Sequence, residues 1–319
     1  NRPLHLLGRI TAGRGVEVEF SYRPLTDHSI YSRGQGSALP EVDVQDSTWV
    51  ATRLRQSNGI GGYFTTEYSY EGLKRDLGGR GHLGFARITA RNLEKNITTV
   101  TDYAQSFPHA SRPLRVDVLR SSDGRLLSST ATEYAVHGQH QPGPVFPWVK
   151  SRTVRIFDPH NGVALSTSES SSVVDALGNI IESRKQLTDH TLSSVFETET
   201  TSTYQVDTSS TWRPAQLVSR TVVRRVNGSS SLANGLTSRF SYDPATGLPE
   251  SVTRQPGGGT GIELSRTYTR DASGNVLSET ISGPGITPRT TSTSYDSRQQ
   301  FSVASTNAEG HTTTWEWDS

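Results

Sequence analysis

Gly78, Gly79, Gly81 and Gly84 crowd into seven residues, between two stretches written for extended backbone. Glycine has no Cβ and reaches φ > 0 without a clash, so a cluster this dense marks tight reversals. On its N-terminal side Phe64-Thr-Thr-Glu-Tyr-Ser-Tyr70 alternates, setting Phe64, Thr66, Tyr68 and Tyr70 on one face. On its C-terminal side come Leu83-Gly-Phe-Ala-Arg-Ile-Thr89 and Thr101-Asp-Tyr-Ala-Gln-Ser-Phe-Pro108. Strand, glycine turn, strand is the local reading. Gly79-Arg-Gly81-His-Leu-Gly84 also fits G-x-G-x-x-G, but a phosphate cradle needs a helix opening after the last glycine. Phe85 to Arg91 carries β-branched residues and no helical apolar stripe, so the cluster reads as a turn.

Strand signals continue on both sides. Leu4 to Leu7 is a short apolar run, and Val16-Glu-Val-Glu-Phe-Ser-Tyr22 alternates with Val16, Val18, Phe20 and Tyr22 on the expected buried side. Trp49 to Arg55 and Tyr63 to Tyr70 read as a hairpin around Ser57-Asn58-Gly59, since Asn-Gly favours φ > 0. Leu114, Val116 and Val118 alternate before the Ser122-Asp123-Gly124 turn and a strand to Val136. Gln139 to Pro147 holds Pro142, Pro144 and Pro147, which is expected to stay out of any sheet and to divide residues 1–147 from 148–319. Apolar residues never recur at i, i+3, i+4, i+7 over three turns, so little or no helix is expected. The fold class predicted is all-β, an antiparallel hairpin array. Only 32% of residues are hydrophobic. That supply suits sheets with a wet face better than one thick core.

From Trp148 a loose repeat sets in. Phe157-Asp158, Tyr242-Asp243, Tyr295-Asp296 and Trp317-Asp318 are aromatic–Asp pairs. Asp175-Ala-Leu-Gly178-Asn, Asp271-Ala-Ser-Gly274-Asn and Asn307-Ala-Glu-Gly310-His share a D/N-x-x-G pattern. Spacings of 22 to 27 residues between the aromatics Tyr242, Tyr268, Tyr295 and Trp317 suit a strand–turn–strand unit. Asp or Asn opens such a turn by bonding its own backbone, Gly supplies φ > 0, and the aromatic plugs an interior face. The Thr- and Ser-rich run Glu182 to Ser210 favours strands.

Chemistry is harder to place. His137-Gly-Gln-His140 offers two ligands without a helix or a third donor, His82, His109 and His311 read as turn residues, and no metal or cofactor site is expected. Asp76 and Asp102 read as amide-capping side chains beside glycine turns. Serine is abundant, but no G-x-S-x-G elbow is present. The Asp turns lack the alternating density of a calcium cage. The formal net charge is +1 with no basic block, which gives no argument for nucleic acid, and no apolar run is long enough for a membrane span. Cysteine is absent, which excludes disulfides. Methionine is absent too, and a piece of a longer protein is expected.

The ordered set Tyr68, Tyr70, Asp76, Gly79, Arg80, Gly81, Leu83, Gly84, Phe85, Asp102, Tyr103, Gln105, Phe107 and Pro108 resembles the middle region of the B components of bacterial insecticidal toxin complexes. SpvB-like and RHS-repeat proteins share it. The later Tyr242-Asp243 and Tyr295-Asp296 pairs resemble YD repeats, in three to four degenerate copies. The resemblance implies residues 1–147 as a toxin-complex-B-like middle region and 148–319 as YD/RHS-type hairpins. It implies a secreted or cell-surface bacterial protein that is not an enzyme, a shell segment enclosing a toxic C-terminal domain of its own long chain. A pore-forming or delivery subunit is the further partner implied. The family's self-cleavage signature is missing. The rival readings are a cell-surface adhesin or carbohydrate-binding repeat, using exposed Tyr and Trp, and a β-scaffold hydrolase. Open sheet edges near Asn1 and Trp317 are expected to favour weak self-association.

Overall fold

The computed structural model describes residues 6–137, 145–207, 213–230, 235–257 and 261–318. Leu4, Asn1, His140, Pro142 and Pro144 therefore lie outside the described residues. Among those described, the one helical element is a 3-10 turn at Gly13–Gly15, and everything else regular is strand. The chain divides into two compact units, Asn1–Ser171 with Gln186–Val195, and Ser172–Lys185 with Phe196–Ser319.

The first unit opens with β1 (Arg9–Ala12), β2 (Val16–Pro24), β3 (Tyr31–Ser32), β4 (Glu41–Asp43) and β5 (Trp49–Ser57). Then come β6 (Tyr63–Glu71), β7 (Lys74–Asp76), β8 (Gly81–Gly84), β9 (Arg87–Asn92) and β10 (Ile97–Tyr103). It continues through β11 (Pro113–Arg120), β12 (Leu126–His137), β13 (Phe146–Phe157) and β14 (Ala164–Val174). Antiparallel neighbours follow the order β1-β2-β5-β6-β9-β10-β11-β12-β13-β14. One pair breaks the antiparallel rule: β3 lies parallel to the end of β6, Tyr31 against Tyr70. The expected glycine turn is itself a small hairpin, β7–β8, which β4 joins as a separate three-stranded sheet.

After β15 (Ile180–Asp189) the second unit runs β16 (Ser194–Asp207), β17 (Arg213–Val226), the two-residue β18 (Ser229–Ser230) and β19 (Leu236–Tyr242). It ends with β20 (Pro249–Arg254), β21 (Leu264–Arg270), β22 (Val276–Gly283), β23 (Ile286–Tyr295), β24 (Ser302–Thr306) and β25 (Thr312–Thr314). Antiparallel pairing proceeds from β16 to β17, from β17 to β19, and then strand by strand to β25. This is the nearest-neighbour arrangement that short D/N-G turns enforce.

Buried apolar side chains are few, and among the described residues all belong to the first unit. Leu25, Tyr31, Tyr70 and Leu73 form a cluster, with Val44, Val50, Phe85 and Ile88 packed around it. It sits where the β3–β6 pair meets the β4–β7–β8 sheet. Two sequence expectations need correction here. Val16 is exposed, at 40%, because the alternating face of β2 is covered only toward the cluster. Pro147 does lie in a strand, opposite Val136, but as the second residue of β13, at the hairpin end where a missing N–H costs the ladder least. The Asn58–Gly59 reversal closes the expected β5–β6 hairpin over residues 58–62, with Gly59 at φ +78°.

A core this concentrated makes stability uneven along the chain. Leu73→Ala is expected to lower unfolding free energy by about 2–5 kcal/mol in urea titration. Leu192→Ala, at a position 70% exposed, is expected to stay within about 0.5 kcal/mol of the parent. Equal effects would mean that the cluster does not anchor the first unit.

Candidate functional site

Most of the motif residues of the first unit converge on the buried cluster. Phe85 packs its ring 4.7 Å from Tyr70 and edge-on to Tyr31 at 6.3 Å. The Tyr31 hydroxyl donates to the Val44 carbonyl and accepts the Leu73 amide at 3.0 Å, tying β3 to the segments around it. Tyr70 donates its hydroxyl to the Ala51 carbonyl, and burial pushes its phenol up to about 12. Tyr68 packs half-buried at the edge of the same cluster. Leu83 is 3% exposed.

Gln105 is the clamp. Its Nε2 donates to the carbonyls of Gly72 (2.5 Å) and Gly84 (2.8 Å), so one amide holds the exits of β6 and β8 together. Both glycines have left-handed φ, +64° and +88°. A Cβ on Gly84 would stand 2.4 Å from the Ser111 Oγ, so close approach and backbone conformation both demand glycine there. Beside the clamp, Arg80 reaches Asp76 at 3.6 Å and lies 4.3 Å over the Phe107 ring that precedes Pro108. Asp76 is buried and accepts the Gly78 amide. Gly79 and Gly81 supply positive φ in the same turn. The Tyr103 amide donates to the Ala86 carbonyl at 2.8 Å, at a bulge in β10.

Two polar residues do something other than expected. Asp102 caps no amide here; it faces Arg87 across the β9–β10 ladder and accepts its Nε at 2.6 Å. His82 is a β8 strand residue, 3.1 Å from Arg75, not a turn residue. His137 ends β12. Among the described residues no three His, Asp or Glu side chains cluster as metal ligands.

The aromatic–Asp pairs at Asp158, Asp243 and Asp296 and the D/N-x-x-G sequences are two forms of one device, which Trp317-Asp318 does not share. In the shorter form, Asp271 Oδ1 accepts the amides of Ser273 and Asn275, both at 2.9 Å, while Asn275 Nδ2 donates to Oδ2. Asp175 repeats this with Leu177 and Asn179, and Asn307 with Glu309 and His311. In the longer form, Asp243 accepts Ala245 and Thr246, Asp158 accepts His160 and Asn161, and Asp296 accepts Gln300 and Phe301. These amide bonds favour the carboxylate, so Asp158, Asp243, Asp271 and Asp296 sit below the ordinary carboxylate range. For Asp271 the Asn275 side chain contributes most. Tyr242 also donates its hydroxyl to the Leu217 carbonyl at 3.0 Å, and Tyr295 is half-buried opposite Ser302. The sequence reading missed a copy: Asn58 accepts Ile60 and Gly62 in the same way. Its signal, Asn58-Gly-Ile-Gly-Gly62, was legible as N-x-x-G followed by a small residue.

The two faces of the second unit differ sharply. One row runs Ser241, Ser251, Thr267, Thr280, Thr290 across five strands, and the next runs Thr269, Ser278, Ser292, Thr306, Thr312. Hydroxyl pairs close across the strands at 2.7 Å for Ser241–Ser251 and Thr269–Ser278, and at 2.8 Å for Thr280–Thr290 and Thr306–Thr312. The opposite face carries Phe240, Val252, Arg266, Ile281 and Arg289 in one row. Over β19 to β25 one face is therefore hydroxylic, with Arg239 a charged exception beside Thr253, while the same face of β16 and β17 carries Glu197, Glu199 and Arg225. The other face mixes Arg, Glu, aromatic and apolar residues with Thr291, Thr293 and Ser305.

Gln105→Ala is expected to cost about 1–3 kcal/mol, because the Gly84 carbonyl loses the Gln105 donor and the Gly72 carbonyl is left with the Ala86 amide. Urea unfolding checks it, and a change below about 0.5 kcal/mol would remove the clamp from the account. Acid should separate the Asp turns from the Asn307 turn. A carboxylate with a depressed folded pKa stabilises above its unfolded value near 4, and that contribution is lost as pH falls through the folded value. Amide exchange at Ser273 and Asn275 should therefore quicken in acid relative to Glu309 and His311, and Asp271→Asn should abolish the difference. An identical acid response of both turns would contradict the assignment.

No protein-family profile and no curated protein sequence matches the chain. Solved structures do. A TcdB2-TccC3-TEV crystal structure superposes with a TM-score of 0.71 at 12% identity, covering 98% of this chain and 23% of that one. A TcdB2-TccC3 crystal structure gives 0.63 at 12% identity, over 98% of this chain and 24% of that one. The Photorhabdus luminescens Tc holotoxin pore gives 0.60 at 11% identity, over 95% and 23%. At such identities the likeness is one of fold, and the chain spans about a quarter of the length of these relatives. Nearly the whole chain thus shares the all-β fold of a segment of Tc toxin complexes, the assemblies to which its glycine and Tyr-Asp motifs also point.

Proposed function

We propose that the chain is a non-catalytic wall segment of a toxin-complex shell, part of a longer bacterial protein that encloses its own toxic C-terminal domain. The observation that carries this reading is the hydroxylic face of the second unit. Across β19 to β25 paired Ser and Thr hydroxyls satisfy one another, with Arg239 the charge among them. The charges that share this face in β16 and β17, Glu197, Glu199 and Arg225, are paired with one another. An unfolded polypeptide beside such a face finds little to adhere to, so we place this face toward the enclosed domain and the charged, aromatic face outward. Residues 1–147 would form the toxin-complex-B-like part, with its glycine motif as a clamp, and 148–319 the YD-type hairpins. Secretion, and a pore-forming or delivery subunit as partner, belong to the same reading. The carboxylates support the non-enzymatic part, because those of the repeated turns are engaged in holding backbone amides. The adhesin alternative draws on the exposed Trp315 and Trp317, the latter with its ring 5.3 Å from Phe301 and its Nε1 donating to the Ser302 carbonyl.

Electron microscopy of the full-length natural chain should show a hollow particle with density inside. Thr267→Arg with Thr280→Arg should slow release of the enclosed domain several-fold, while Arg266→Thr on the outer face should not. A rod or a filled globule, or equal effects from both faces, would sink the shell reading.

A further inference from the structure

Sheet faces rarely concentrate cations without matching acids, and the first unit does so at one place. Strands β2, β5, β6, β9 and β10 floor an open groove of about 500 Å³. That volume suits a small ligand of monosaccharide or disaccharide size. Arg23, Arg53 and Arg91 line it together with one carboxylate, Glu67. The row across the strands is Ser21, Arg53, Glu67, Arg91, Thr98. Glu67 takes Arg53 at 2.6 Å, and Arg23 is held by Asp27 at 3.0 Å. Arg91 stands across from Glu67, yet among the described residues it has no carboxylate within 4.0 Å. One guanidinium is therefore left to face the groove without an acid.

The rest of the lining narrows the ligand. Six hydroxyl residues surround the cations, among them Ser69 and Thr89, and apart from Ile30 and Tyr68 the lining is polar. An apolar or lipid ligand would find no shelf. A peptide strand would need free backbone groups, and those of β5, β6 and β9 are taken by their ladders on both sides. A polyhydroxylated anion matches both features, its carboxylate on the planar guanidinium and its hydroxyls on the Ser and Thr side chains. We propose that this groove binds a carboxylated saccharide, with Arg91 as the anion partner and Glu67 as the competitor that tempers its affinity. The inference does not rest on the shell reading, since a glycan site would serve either a shell wall or an adhesin.

Calorimetric titration of the 319-residue chain at low salt with D-glucuronate, D-glucose and inorganic phosphate tests it. Glucuronate should bind saturably and at least about tenfold more tightly than glucose, since an anion on an unpaired guanidinium adds a charge-assisted bond. Arg91→Ala should weaken glucuronate about tenfold, and Glu67→Gln should tighten it by freeing Arg53. Thr89→Val, which leaves every ion pair in place, should weaken it several-fold and covers the case in which Arg91→Ala disturbs the sheet. Absence of glucuronate binding, glucose binding as tightly as glucuronate, or indifference to both Arg91→Ala and Thr89→Val would overturn the site. Phosphate binding as tight as glucuronate would overturn the saccharide assignment.

Discussion

Every reversal in a hairpin array strands backbone amides that no neighbouring strand can accept, and here a single side-chain oxygen takes two of them. Asp158, Asp175, Asp243, Asp271, Asp296, Asn58 and Asn307 all do this. The bond matters more in this chain than in a thick-cored one. With no buried apolar side chain in the second unit among the described residues, register must be fixed by ladders and turns. A turn that fails would let a strand slip by one residue and turn its hydroxylic face over. Where glycine is missing from the turn, the chain still finds the geometry: Gln299 adopts φ +57° while Asp296 holds Gln300 and Phe301.

The first unit adds a second device to its own Asn58 and Asp158 turns. Its buried cluster forms where strands stop being a simple meander, at the parallel contact of Tyr31 with Tyr70. Long-range side-chain to backbone bonds then replace local turns: Tyr31 to Val44 and Leu73, Tyr70 to Ala51, Gln105 to Gly72 and Gly84. A motif that looks on paper like scattered tyrosines, glycines and a glutamine is thus one set of contacts around a single point. That explains why the residue types are spaced so irregularly along the chain: they come from different strands and meet in space.

Local features were legible from sequence because their causes are local. Alternation at Val16–Tyr22, glycine at 78–84 and Asp or Asn at turn starts each express a constraint within a few residues. Contacts far apart in sequence were not. Nothing in the residues around Tyr31 announces a parallel pairing with Tyr70, since parallel partners share no connecting turn. Asp102 lies close to the Gly84 turn in the chain, which invited a capping role, but register sets it against Arg87. Pro147 was read from its missing N–H alone, and the ladder position that makes it tolerable emerges only with the pairing of β12 and β13.

The hydroxylic face was hidden for a further reason. Bulges between Ser241 and Tyr242, Thr269 and Arg270, and Ser294 and Tyr295 shift the alternation by one residue beside each turn. The extra residue lies on the returning strand in each case, Glu250, Leu277 or Val303, so that strand changes phase just after its Asp turn. A plain period-two reading across those points mixes the faces and makes the composition look uniformly polar. With the shifts included, the rows through Ser251, Thr267, Thr280 and Thr290 fall on one side and those through Val252, Arg266, Ile281 and Arg289 on the other. The Asp turn and its surroundings thus do two jobs at one place: the carboxylate closes the turn, and the bulge just after it resets which face the returning strand presents. Substitutions that straighten the bulge should invert a strand without breaking its ladder, so face identity in this fold depends on the turn as much as on the strand.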